Sequence, residues 1–189
     1  MLETPKSPCY SQGNNAGDAT MGNQQRSLEL RLSWLAGIMD GEGTISFASK
    51  YSPTSRQQAY HFRPEFKLTN SDPKMIAEIR DILDKIGCAY HVRVVDNPSK
   101  KKNNWKAYTK ITVDGMKRLR VLLPIMIPYL ISKREHAEMV LAYINSRLDG
   151  SHKASLSDEQ EKMVLKVRQL NHRGILNRPE TIRRAPIIR

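Results

Sequence analysis

Two acids separated by one residue, Asp40 and Glu42, are the side chains best placed to do chemistry. They lie in the run Leu35-Ala36-Gly37-Ile38-Met39-Asp40-Gly41-Glu42-Gly43. Upstream, Leu28, Leu32, Leu35, Ile38 and Met39 recur at helical spacing, and the period stops at Gly41 and Gly43. Glycine inside a helix costs about 1 kcal/mol relative to alanine. Small residues at Ala36, Gly37 and Gly41 therefore suggest a close backbone approach. If the approaching element is the same helix of a second copy, a two-fold axis runs between them and each copy delivers its acids beside it. Carboxylates converging from two chains would hold a divalent metal next to phosphodiester groups. Without that partner, the same residues are a helix end running into a glycine-rich turn with solvated acids.

Composition narrows the setting. The net charge of +12 makes nucleic acid the leading class of partner, although basic chains also bind membrane surfaces. No apolar run approaches the roughly 20 residues of a membrane helix, because the longest, Val121 to Ile131, contains Pro124 and Pro128. The N-terminus has no charged-then-apolar export pattern, and Glu3 and Asp18 fit a transit peptide poorly. Cys9 and Cys88 are far apart and read as free thiols of a reducing, intracellular compartment. The histidines His61, His91, His136, His152 and His172 show no paired-ligand spacing, which argues against a zinc site.

The elements that must position the acids can be read in order. Residues 1–26, rich in Ser, Gly, Asn, Gln and Pro, read as a disordered tail, and a domain begins near Ser27. After the helix ending at Gly41, the runs Gly43 to Lys50 and Tyr60 to Thr69 alternate as strands, with Ser52-Pro53-Thr54-Ser55 as turn chemistry between them. Asp72-Pro73 opens a helix with Ser71 or Asp72 as cap; its apolar face is Met75, Ile76, Ile79, Ile82, Leu83 and Ile86, and Gly87 ends it. Two more strands, Tyr90 to Asp96 and Trp105 to Val113, flank a basic turn over Asn97 to Asn104. Asp114 to Leu123 is expected to be a short helix stopped by Pro124. Ser132 with Glu135, and Ser157 with Gln160, form capping boxes for two further helices, the last reaching about Leu170. A basic tail follows, with Arg173, Arg178, Arg183, Arg184 and Arg189.

This order predicts a mixed α+β domain over 27–150, with one antiparallel sheet, helices on one face and the other face free, followed by a C-terminal helix and tail over 151–189. The free face carries Ser46, Ala48, Lys50, His61, Arg63, Glu65, Lys67, Arg93, Lys106, Tyr108, Lys110 and Thr112. These groups suit phosphates and base edges, and they also suit an ordinary solvated sheet face.

Residues 35–43 resemble the LAGLIDADG motif of homing endonucleases. The likeness continues through Trp34 upstream and Thr44-Ile45-Ser46 downstream, and the helix-strand-strand repeat extends it over roughly residues 28 to 150. A single motif copy resembles the homodimeric branch of that family. The resemblance implies an αββαββα fold with a saddle-shaped antiparallel sheet, and a site-specific enzyme cutting both strands of a long, roughly palindromic DNA. It implies a dimer interface at Leu35, Ala36, Gly37 and Asp40. Glu42 matches the metal-binding acid, with the carbonyl of Gly41 as a second ligand, and Asp40 matches the acid tied up in the helix end. Glutamate at 42 departs from the commoner aspartate and adds one methylene of reach. Asn70, Lys74 and Lys133 match the polar and basic residues that organise water and stabilise charge at the scissile phosphate. Mg2+ is the implied ion, and Mn2+ or Ca2+ could occupy the same ligands. Double-stranded DNA and a second copy are the implied partners, with host intron RNA as a further one and no membrane. The host compartment is open among bacterial or archaeal cytoplasm and an organelle.

Other readings compete. Glu65-Phe66-Lys67 has the E-x-K spacing of another nuclease class, but all of it lies in one strand. An RNA-binding intron maturase, or a DNA-binding protein without catalysis, would use the same scaffold.

Overall fold

The computed structural model describes residues 16–51, 60–96, 106–150 and 156–171. The expected turns at 52–55 and 97–104 and the basic tail from Arg173 lie outside them. The elements run α1 (Ala16–Glu42), β1 (Thr44–Tyr51), β2 (Tyr60–Asn70), α2 (Pro73–Lys85), β3 (His91–Val95), β4 (Tyr108–Asp114), α3 (Met116–Met126), a 3-10 turn (Ile127–Tyr129), α4 (Arg134–Leu148) and α5 (Asp158–Asn171).

The strands form one antiparallel sheet in the order β1-β2-β4-β3. Its register sorts the side chains by face. Ile45 pairs with Phe66, and Phe66 with Val113; all three are fully buried against the helices. The opposite rows are Thr44-Lys67-Thr112-His91, Ser46-Glu65-Asp114, Ala48-Arg63, Arg93-Lys110 and Val95-Tyr108, with His61 two residues before Arg63 on β2. Ser46, Ala48, His61, Arg63, Glu65, Lys67, Arg93, Tyr108, Lys110 and Thr112 lie on this face as expected; the Lys50 side chain is outside the described ones, and Lys106 lies two residues before the start of β4. Period-two alternation carried that information, because a one-residue slip would have reversed all of it.

Proline in an interior strand normally breaks a ladder. Pro64 sits on β2 one residue beyond the last β2–β4 pair, Glu65 with Asp114, where its carbonyl accepts from the Gly115 N–H at 3.2 Å. The helices cover the other face with a core that includes Leu35, Met39, Ile79, Ile82, Leu122, Met126, Val140 and Ile144. Arg31 on α1 is bound by Glu78 and Asp81 on α2, which fixes these two helices to each other.

Four expectations are corrected. α1 begins at Ala16, well inside the stretch expected to be disordered. Extending a formed helix adds one hydrogen bond per residue without a new nucleus, so this segment needs no apolar period of its own. α3 runs from Met116 through Pro124 to Met126; the proline sits in the last turn and the helix ends just after it. α5 belongs to the core, with Val164 and Val167 fully buried, so the domain does not end at residue 150. The fourth concerns the start of α4. Its cap is Lys133 without a side-chain cap bond, and the Ser132 capping box does not form.

Other local signals hold. Asp72 caps α2 by accepting from the Lys74 N–H at 2.8 Å, with Pro73 in the first turn. Gly87 ends the segment with φ of 68°. Ser157 and Gln160 make the reciprocal box of α5, at 3.2 and 3.3 Å.

Candidate active site at the end of α1

The last turn of α1 separates its two acids. Asp40 turns inward. Its carboxylate accepts from the backbone N–H groups of Ile131 (2.7 Å), Ser132 (3.2 Å) and Lys133 (2.9 Å), just before α4 begins. A helix start leaves several N–H groups without partners. Here Asp40, from across the chain, takes the N–H of the cap residue Lys133 and of the two residues before it. Burial alone would raise the Asp40 pKa, but these backbone donors and the Ser132 hydroxyl hold it below the ordinary carboxylate range. The buried Lys133 ammonium returns the contact, donating to the Asp40 carbonyl at 2.5 Å. A cation on a C-terminal carbonyl of α1 and an anion at the N-terminus of α4 both match the helix dipoles.

Glu42 turns outward and is exposed. Its Oε2 accepts from the Asn70 amide at 2.7 Å, and the Asn70 Oδ1 accepts from the Asp72 N–H at 2.7 Å. The second bond fixes which way the Asn70 amide points, so its NH2 is committed to Glu42. Gly43 makes this tight exit from α1 possible. A Cβ there would lie 2.0 Å from the Met39 sulfur and 2.7 Å from the Met39 carbonyl, which already accepts from the Gly43 N–H at 3.0 Å.

Glu42 and Asn70 border an open cleft of about 420 Å³, with Thr69, Ser71, Lys106 and Tyr108 completing the lining. The structure thus joins two expected catalytic residues with two expected nucleic-acid contacts, Lys106 and Tyr108. Thr69 and Ser71 were not anticipated; their adjacency to Asn70 was the available signal. Lys74 is exposed in the first turn of α2, outside this lining, and the Lys133 ammonium donates to the Asp40 carbonyl. Among the described residues, no group of three or more His, Cys, Asp or Glu in one chain could hold a metal ion. The ligands present, one carboxylate and the end carbonyls of a helix, are hard oxygens of the kind that magnesium and calcium take.

The expected interface residues are corrected in part. Leu35 and Ala36 are fully buried in the chain's own core, and the Asp40 carboxylate is spent on α4. The outward stripe of α1 is Leu30, Trp34, Gly37 and Gly41. Among the described residues, a Cβ at Gly37 or Gly41 would meet nothing within 4 Å, so none of them requires glycine there.

No family model matches the sequence, and no curated protein matches it. Solved structures do match. One is the homing endonuclease I-CvuI in complex with its target in the presence of calcium, at 25% identity, a TM-score of 0.62, and coverage of 82% of this chain and 88% of that one. The LAGLIDADG homing endonuclease I-LtrWI bound to target DNA matches at 17% identity and a TM-score of 0.58, over 79% of this chain and 47% of that one. The chain has the LAGLIDADG homing endonuclease fold. The group I intron-encoded homing endonuclease I-CeuI, complexed with DNA, shares that fold at 16% identity and a TM-score of 0.60, over 86% of this chain and 84% of that one. Within the LAGLIDADG fold this chain is a single unit. It spans most of I-CvuI and about half of I-LtrWI, in line with its one copy of the motif.

Proposed function

We propose that this protein is a site-specific DNA endonuclease that binds duplex DNA on its free sheet face and cuts both strands as a pair of identical chains. The observation that carries this reading is Glu42. It is an exposed carboxylate oriented by Asn70, at a helix end that opens onto a sheet face of cationic and hydrogen-bonding side chains. The homing endonucleases I-CvuI and I-CeuI, solved with DNA, support it. The I-CvuI complexes in calcium and in magnesium support a divalent cation at the site, the DNA of the magnesium complex being uncleaved.

Glu42 and the Gly41 carbonyl would hold a divalent cation, Mg2+ being the expected one. When bound, the cation activates a water nucleophile and offsets the charge that develops on the phosphate. Asn70 keeps the Glu42 carboxylate aimed into the cleft. Lys106 and Tyr108, on the cleft wall, donate to the phosphate backbone. Lys74 adds positive charge from the first turn of α2. Lys133 acts through structure, holding the last turn of α1 in place by its bond to Asp40.

One chain supplies one carboxylate to such a site, and the outward stripe of α1 supplies a way to bring two together. Leu30 is 69% exposed and Trp34 36%, and the open backbone at Gly37 and Gly41 lets a partner helix approach closely.

Duplexes selected by the purified full-length protein from a randomised pool in calcium should be cut in both strands when magnesium replaces calcium. Tight binding of structured RNA with no DNA cleavage by the wild-type protein would overturn this reading in favour of an intron-folding cofactor. Sedimentation of the DNA complex should give two chains per duplex; one chain per duplex overturns the shared axis.

A further inference from the structure

The free sheet face is cationic, yet two acids stand directly opposite each other on it: Glu65 of β2 pairs with Asp114 of β4. Their side chains are only 10% and 12% exposed. A carboxylate on a surface that meets a polyanion weakens binding unless it is neutralised. Glu65 is neutralised along its own strand by Lys67 and accepts from the Ser46 hydroxyl at 3.4 Å. Asp114 gathers groups from three other elements. Arg63 Nη1 of β2 lies 2.9 Å from its Oδ2. Arg118 Nη1 of α3 lies 3.3 Å, and His91 Nε2 of β3 3.4 Å, from its Oδ1.

The anchor and its partners differ in exposure. Asp114 is nearly buried, while the Arg63 side chain is 62% exposed. A free arginine loses side-chain freedom when it docks on a base, and a pinned one has already lost it. One arm of the Arg63 guanidinium rests on Asp114, and the remaining N–H donors of its planar fork stay available. Arginine donating bidentately to O6 and N7 of guanine is the commonest specific contact in the major groove.

We propose that Asp114 is a positioning residue for sequence recognition, holding Arg63 as a preset fork that reads one guanine in each half of the target. This rests on the DNA-binding reading above. Arg63 lies seven residues along β2 from Asn70, which borders the cleft, a span of roughly 23 Å of extended strand. The guanine read is therefore remote from the cut.

Selection from a randomised duplex pool in calcium, with the full-length protein and its variants, tests the assignment. Wild type should require guanine at one symmetric pair of outer positions. Arg63→Lys keeps the charge and loses the fork, so it should lose that requirement while the preferences at the other positions persist. Asp114→Asn should weaken the same preference about tenfold and leave the other positions intact; Asp114→Glu should recover part of it. An unchanged preference in Arg63→Lys overturns the proposal. So does an Asp114→Asn profile that weakens equally at every position with a lowered melting temperature, which marks a fold-holding role only. A wild-type protein that enriches no sequence overturns the DNA-binding reading itself, and this proposal with it.

Discussion

Asp40 and Glu42 leave the same turn of α1 and meet opposite surroundings. At the junction with α4, every charge has a partner inside the chain: the Asp40 carboxylate takes three backbone N–H groups and the Lys133 ammonium takes the Asp40 carbonyl. In the cleft beside it, Glu42 has one oriented donor and faces solvent. The contrast separates two uses of a carboxylate. Saturated with internal donors, it ties elements together and has no capacity left for a ligand. Left partly unsatisfied at a fixed orientation, it keeps its charge available for a cation. The junction also holds the cleft in place, because both acids lie on one rigid helical turn.

The sharpest break of this contrast is at Glu42. Glu42→Gln keeps the Asn70 contact and removes the charge, so cleavage should fall to background while binding in calcium and the melting temperature stay near wild type. Cleavage retained by that variant, read on a gel of end-labelled duplex, would falsify the metal assignment. Asp40→Ala should do the reverse. It leaves three N–H groups without an acceptor and should cost about 3 kcal/mol of stability in denaturant titrations, with lost activity following lost fold. A variant as stable as wild type would show that water satisfies those donors equally well. Asn70→Ala should lower the cleavage rate by about tenfold, with less than 1 kcal/mol lost in stability, since it frees the Glu42 carboxylate to turn. Equal losses in binding and rate would place Asn70 on the DNA instead.

The smallest effect concerns pH. His136 on α4 is buried, and its Nδ1 has no hydrogen-bond partner among the described residues. Burial lowers its pKa below the usual histidine range, and a bond to the Leu170 carbonyl opposes that only in part. The unfolded chain therefore takes up a proton at a higher pH than the folded chain does. Stability from the neutral ring is complete above about 6.5 and is lost as pH falls through the lowered folded value. Asp40 also has a lowered pKa, but its contribution persists until the pH falls below the ordinary carboxylate range. Melting temperature should thus begin to fall as pH drops below about 6.5, and His136→Gln should remove that early loss. An unchanged early loss would assign it to another group.

Much of the fold was legible because its signals are local. Alternation in β1, β2 and β4 placed each side chain on its face, and Asp72-Pro73, Gly87 and Ser157 with Gln160 acted through neighbours in sequence. Ser132 with Glu135 carried the same kind of signal and failed. One of the two donors it would satisfy, the Ser132 N–H, is taken by a charged acceptor nearly a hundred residues away. Leu35 and Ala36 were expected at a partner interface because the motif contains them. Which side of a helix meets the core depends on what packs against it, and no spacing in the motif states that.

The sequence by itself determined the element order, the two-faced sheet, and a helix ending in two acids and three glycines. These follow from residue types and their periods, which act over a few positions. Only the tertiary structure decided which acid is structural and which is open, that Lys133 serves α1, and that Asp114 gathers Arg63, Arg118 and His91 on the free face. Those outcomes depend on distances between residues far apart in the chain. Such distances are set by how the sheet and helices pack together, and no local pattern encodes them.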